Sequence, residues 1–203
     1  MSNLNNNKAK IALIICSQRS PRIGPKVADF VLNVLAEHHQ SSPRDYDLVQ
    51  IDLKNWKLPI FDEPTIPAHV YDAASYVQPH TKAWSAEISK HAGFIFVCPQ
   101  YNWGYPASVK NAIDYLYHEW EGKAAMIVSY GGRGGGKAAE QLRQVLLGVR
   151  MKVTGTMPGL SLKAEGSMKA AMEEGELVSQ ARDMWKSEQD LILKAFVELH
   201  ELL

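Results

Sequence analysis

Short apolar runs recur along the chain, and a polar turn and a stretch of helical periodicity follow most of them. The runs are Ile11–Cys16 (IALIIC), Tyr46–Ile51 (YDLVQI), Phe94–Cys98 (FIFVC), Ala125–Ser129 (AMIVS) and Met151–Thr156 (MKVTGT). The first, third and fourth scarcely alternate with polar residues, as expected of strands buried on both faces. Helical spacing covers Pro25–His39, Thr81–His91, Pro106–Tyr117, Lys137–Leu147 and Arg182–Leu202. In the last of these, Met184, Trp185, Ile192, Phe196, Leu199 and, just past its end, Leu203 keep one face apolar.

Strand alternating with helix predicts an α/β protein, a parallel sheet between two layers of helices. Right-handed crossovers leave few topologies, and five strands favour the flavodoxin-like three-layer sandwich of order 2-1-3-4-5. Residues 10–203 read as one domain behind a disordered tail, 1–9 (MSNLNNNKA). Two segments break the rhythm. Leu53–Pro79 carries four prolines and reads as an irregular excursion over the ligand edge; Ser161–Ser179 reads as a loop with a helical turn.

Charge narrows the partners. Lys plus Arg and Asp plus Glu number 22 each, which lacks the basic excess usual in nucleic-acid binders and points to a small-molecule partner. No apolar stretch approaches a membrane span, and the start lacks a signal-like core. Cys16 and Cys98 each end an apolar run, as small buried side chains do, and fit a reducing, cytoplasmic setting. The seven histidines form no HExxH pattern, no metal site is expected, and no G-x-S-x-G elbow is present.

In open parallel sheets ligands bind beyond the carboxyl ends of the strands. The loop after the first strand, SQRSPRIGPK, offers serine hydroxyls, two guanidinium groups and a helix start, the makings of a phosphate receptor. The loop after the third, PQYNWGYP, sets Tyr101, Trp103 and Tyr105 beside Asn102 and Gly104, the residues suited to tight or left-handed backbone. The loop after the fourth, SYGGRGGGK, has the glycine and lysine spacing of a P-loop, but Ala138 stands where a magnesium-holding hydroxyl belongs, which counts against an ATPase. A phosphate loop together with two loops able to flank a planar ring points to flavin mononucleotide (FMN).

At these loops the chain resembles the NADPH-dependent FMN reductase family, whose pattern is a Ser/Arg-rich phosphate loop, then PxYNxxxPxxLKNAIDxL, then GGxxGG. They stand here at Ser17–Gly24, Pro99–Leu116 and Gly131–Gly136, with Gln100 where many members have Glu and Val109 for the common Leu. The resemblance implies that Ser17, Arg19, Ser20, Arg22, Ile23 and Gly24 surround the FMN phosphate. It implies that Pro99, Gln100, Tyr101, Asn102, Trp103 and Gly104 line the ring and ribityl chain. Ser129, Gly131, Gly132 and Arg133 would border the pyrimidine end, with Arg133 a candidate charge stabiliser.

It further implies an NAD(P)H-dependent oxidoreductase with NADPH or NADH as co-substrate and hydride passing to flavin N5. Two-electron, ping-pong reduction of a flavin, quinone, azo or ferric acceptor would follow. A homodimer, or a tetramer, is expected. Tyr115, Tyr117 and Trp120 read as cover for the dimer surface or for the ring from the neighbouring subunit, with core packing the close alternative. An FMN-binding electron carrier or regulatory flavin protein without NADPH turnover is the alternative at this stage.

Overall fold

The computed structural model describes residues 8–41, 46–177 and 181–203. The expected tail falls mostly outside them, and Ala9 already belongs to the first strand. That strand, β1 (Ala9–Ile15), leads to α1 (Gly24–Ser41), β2 (Tyr46–Asp52) and a single-turn α2 (Leu53–Trp56). Then come α3 (Pro79–Ser89), β3 (Gly93–Pro99), α4 (Ala107–Asp114), β4 (Ala124–Gly131) and α5 (Gly136–Gly148). The chain closes with β5 (Lys152–Val153), β6 (Gly159–Ser161), α6 (Ser167–Lys169), α7 (Ala181–Met184) and α8 (Lys186–Glu201).

The strands pair in parallel in the order β2-β1-β3-β4-β5, the predicted topology. The fifth strand departs from expectation. Only Lys152 and Val153 pair with the start of β4, whereas Gly159–Ser161 form β6 against its end at Ser129–Gly131. Between them Pro158 has no N–H to give a ladder, and the Glu198 carboxylate accepts from Thr156 through N at 2.8 Å and Oγ1 at 2.6 Å.

Alternate residues of the strands serve two cores, one on each side of the sheet. Ile11, Leu13, Ile15, Ile95, Val97, Met126 and Val128 face α1 and α8, meeting Phe30, Trp185 and Phe196. Ala12, Ile14, Phe94, Phe96 and Ile127 face α3, α4 and α5, meeting Trp84, Tyr115 and Trp120. Tyr115 and Trp120 are therefore fully buried, so core packing, the alternative reading, holds for them and the surface cover does not. Burial obliges the indoles to find acceptors: Trp84 Nε1 donates to Ala112 O at 2.8 Å and Trp120 Nε1 to Ile113 O at 3.2 Å. Tyr117 is half-buried beneath the Arg150 guanidinium.

The predicted C-terminal helix is broken at Trp185, whose buried indole is drawn to Ser161 O at 2.7 Å. The proline-rich excursion holds α2 and two short 3-10 turns at Pro67–His69 and Ala73–Ser75. It does not cover the principal cleft; it lies along α4, where Asn111 accepts from Phe61 N at 2.9 Å and donates to Pro59 O at 2.6 Å. No helix among the described residues is long and apolar enough to cross a membrane.

Candidate functional site

The carboxyl ends of β1, β3 and β4 converge on a cleft of about 470 Å³. Nine of the expected residues line it: Arg19, Arg22, Ile23, Pro99, Gln100, Tyr101, Asn102, Gly131 and Gly132. The other seven do not. Trp103 and Arg133 stand just outside, in an adjoining hollow, while Ser17, Ser20, Gly24, Gly104 and Ser129 sit behind or beside the lining.

Loop one folds around a committed arginine. Arg22 donates from Nη1 to Ser17 O at 2.6 Å and to Asp52 Oδ1 at 2.9 Å, while Nη2 pairs with Asp52 Oδ2. The Asp52 hydrogen bond raises the Arg22 pKa. For Asp52, burial acts to raise the pKa, but Arg22 and the Lys54 N–H outweigh it and hold the carboxyl below its ordinary value. Arg19, by contrast, is exposed, lies 6.0 Å over the Tyr101 ring and, among the described residues, its guanidinium donates only to Ala171 O at 3.5 Å. It is the guanidinium available to an anion. Burial pushes the Tyr101 phenol up, against the lowering pull of that guanidinium.

Behind this loop the Ser17 hydroxyl is fully buried, with no partner of ordinary hydrogen-bond geometry among the described residues and the Tyr130 phenol as its polar neighbour. A Cβ at Gly24 would lie 2.0 Å from Ser17 Oγ and 3.0 Å from the Tyr130 hydroxyl, so only glycine lets α1 begin here. Ser20 is exposed and joined to Pro21 by a cis peptide.

Loop three is a two-residue hairpin, with Tyr101 N donating to Gly104 O at 2.8 Å and Gly104 N to Tyr101 O at 3.0 Å. Its left-handed residues are Asn102 (φ 45°) and Trp103 (φ 71°), the second in place of the expected Gly104. Both φ values are positive, as the twist of a tight hairpin requires. A left-handed tryptophan costs about 1–2 kcal/mol, and it leaves the indole 66% exposed at the rim. Gly104 instead makes room for Gln141, whose Oε1 would lie 2.9 Å from a Cβ there.

Loop four divides its glycines between ligand and turn. Gly131 and Gly132 face the cleft without side chains. Gly135 turns the chain into α5 at φ 78°, with Tyr130 O only 2.8 Å from where a Cβ would stand. Ser129 is consumed internally, donating to Gly134 O at 2.7 Å. Gly134 N also donates to Gly131 O at 3.1 Å, so the loop closes on itself instead of opening as a phosphate cradle. Lys137 meets Glu140 at the surface.

Sequence reasoning missed part of the lining. Tyr130 follows the run that ends at Ser129, and burial raises its phenol pKa strongly. Leu162, Met168, Ala171 and Met172 form a further wall from the segment read as a loop. Arg19 reaches Ala171 and Lys26 pairs with Glu176, which fasten that wall to loop one. Two methionines one helical turn apart, both exposed, were the available signal.

Residues 9–162 match the family described as NADPH-dependent FMN reductase. The chain is 46% identical over 153 residues to an NAD(P)H-dependent FMN reductase of Schizosaccharomyces pombe, covering 75% of this chain and 73% of that one. It is 41% identical over 199 residues to the NAD(P)H-dependent FMN reductase ntnL of Nectria sp, covering 96% and 97%. Among solved structures, the fold matches FerB, a flavoenzyme NAD(P)H:(acceptor) oxidoreductase of Paracoccus denitrificans. The TM-score is 0.65 at 18% identity, over 95% of this chain and 98% of that one.

Proposed function

Since the chain belongs to the NADPH-dependent FMN reductase family, we propose that it is an FMN-containing NAD(P)H-dependent oxidoreductase, built as one FMN-binding unit over residues 10–203. The observation that carries this reading is one cleft lined by the exposed Arg19 guanidinium, by the Tyr101 ring 6.0 Å from it and by the bare backbone of Gly131 and Gly132. The residues present fit the group. The exposed Arg19 guanidinium and the first turn of α1 suit a phosphate. Arg22, bound to Asp52, shapes the loop around it.

When bound, FMN supplies hydride acceptance from NAD(P)H and two-electron delivery to an acceptor in alternate half-reactions. The protein binds and orients it. Gly131 and Gly132, bare of side chains in the lining, would let backbone dipoles approach a bound ring and stabilise negative charge on it. The Gln100 amide, in the cleft lining, would offer a bound ring a hydrogen bond without adding a charge of its own. No side chain is required as acid or base.

The reading extends to a homodimer in a reducing, cytoplasmic setting. Exposed Ile60, Ile66, Tyr71 and Val77 on the excursion supply an apolar surface for a second copy, and Cys16 and Cys98 are buried free thiols. Flavin, quinone, azo and ferric compounds are the acceptor classes to assay. The test is anaerobic addition of NADPH to the yellow protein. The reading expects rapid loss of flavin absorbance and parallel reciprocal plots across acceptors. Flavin that stays oxidised under excess NADPH would return it to a carrier or regulatory protein.

A further inference from the structure

Beside the cleft lies a second hollow of about 660 Å³. The two share Gln100, Asn102 and Gly132 in their linings, so they adjoin. The remaining lining differs in chemistry. Trp103 presents an exposed indole on a fixed mount: its hairpin closes through two hydrogen bonds, and Gln141 Nε2 donates to its carbonyl at 3.3 Å. Arg133 is exposed and has no hydrogen-bond or ion-pair partner among the described residues. Lys137 reaches Glu140 at 3.5 Å, both side chains exposed, a contact that restrains neither much.

The geometry points to this hollow as the receptor for the adenosine 2′-phosphate half of NADPH, and so as the element that selects NADPH over NADH. This inference rests on the adjoining cleft being the flavin site, since that is where the nicotinamide must arrive. The hollow is the size of a small-molecule pocket, far more than a lone phosphate fills. The Trp103 face suits a stacked purine. Arg133 can grip a phosphomonoester through two N–H groups, and Lys137 adds a point charge.

NADH offers these cations only a neutral 2′-hydroxyl. Glu140 works the other way, accepting from a ribose hydroxyl and repelling a phosphate. Two cations against one carboxylate leave the balance with the phosphate.

The test is calorimetric titration of the purified protein with adenosine 2′,5′-bisphosphate and with 5′-AMP, beside kcat/KM for both nicotinamides. Neither probe carries a nicotinamide, so their difference is read whether or not the cleft holds FMN. The bisphosphate is expected to bind at least about tenfold tighter than 5′-AMP, and R133A/K137A to erase that gap. The NADPH-to-NADH ratio of kcat/KM should fall by about the same factor in that double variant and rise in E140Q. Equal binding of the two probes by the wild type overturns the assignment. So does a double variant that loses FMN and both nicotinamides alike, which would place Arg133 against the flavin. A colourless protein that still prefers the bisphosphate would fail the flavin reading while keeping the 2′-phosphate receptor.

Discussion

Arg22 and Asp52 face each other fork to fork across the edge between β1 and β2, Nη1 to Oδ1 at 2.9 Å and Nη2 to Oδ2. The pair sits 30 residues apart in sequence and fixes the loop from which Arg19 projects.

The Asp52 carboxyl titrates below its ordinary value in the fold. A depressed folded pKa means that the paired carboxylate stabilises the protein above the unfolded value, about 3.9. That contribution disappears as pH falls through the lower folded value. Asp52→Asn should therefore cost about 1–3 kcal/mol at pH 7, nearer the low end for a partly solvated pair. Urea unfolding at pH 7 and in strong acid checks this: the wild type and variant should converge at low pH. A gap that holds across the range assigns the loss to something other than charge.

Gly24 has the tightest surroundings of any glycine in the site, with Ser17 Oγ 2.0 Å from its added Cβ. Gly24→Ala is expected to destabilise the protein by about 1–3 kcal/mol through overpacking. Ser17→Ala in the same chain removes the obstructing atom and should recover part of the loss. A double variant no more stable than Gly24→Ala would move the clash elsewhere.

Trp103 separates strain from use. Glycine adopts its left-handed backbone freely, so Trp103→Gly should melt within about 1 kcal/mol of the wild type or above it. The same change removes the flat surface at the rim, and KM for NADPH should rise severalfold. A fall of several kcal/mol in stability with unchanged KM would make Trp103 a packing residue.

What was legible in the sequence follows from the range over which each signal acts. The residues of β3 are buried throughout, and so its core read as an unbroken apolar run. The order of the sheet followed from alternation, handedness and the number of strands. The three-residue β6 carries no period to detect, and Pro158 beside it argues against a strand. Local propensity nominated Gly104 for the left-handed position, whereas the hairpin register gave it to Trp103 and left Gly104 facing Gln141. Whether Tyr115 and Trp120 cover a surface or pack in the core stayed open in the sequence, because nothing local shows that the far side of the sheet closes over them. The grip of Asp52 on Arg22 and the wall from Leu162 to Met172 are long-range facts of the same kind.

The claim on which the account turns is that the cleft recognises a flavin by its phosphate as well as its ring. Titration of flavin-free protein with FMN and with riboflavin, followed by quenching of flavin fluorescence, measures that directly. The account predicts that FMN binds at least about tenfold tighter than riboflavin, and that Arg19→Ala removes most of the difference by deleting a charge-assisted bond. Equal affinity of the wild type for the two flavins would contradict it.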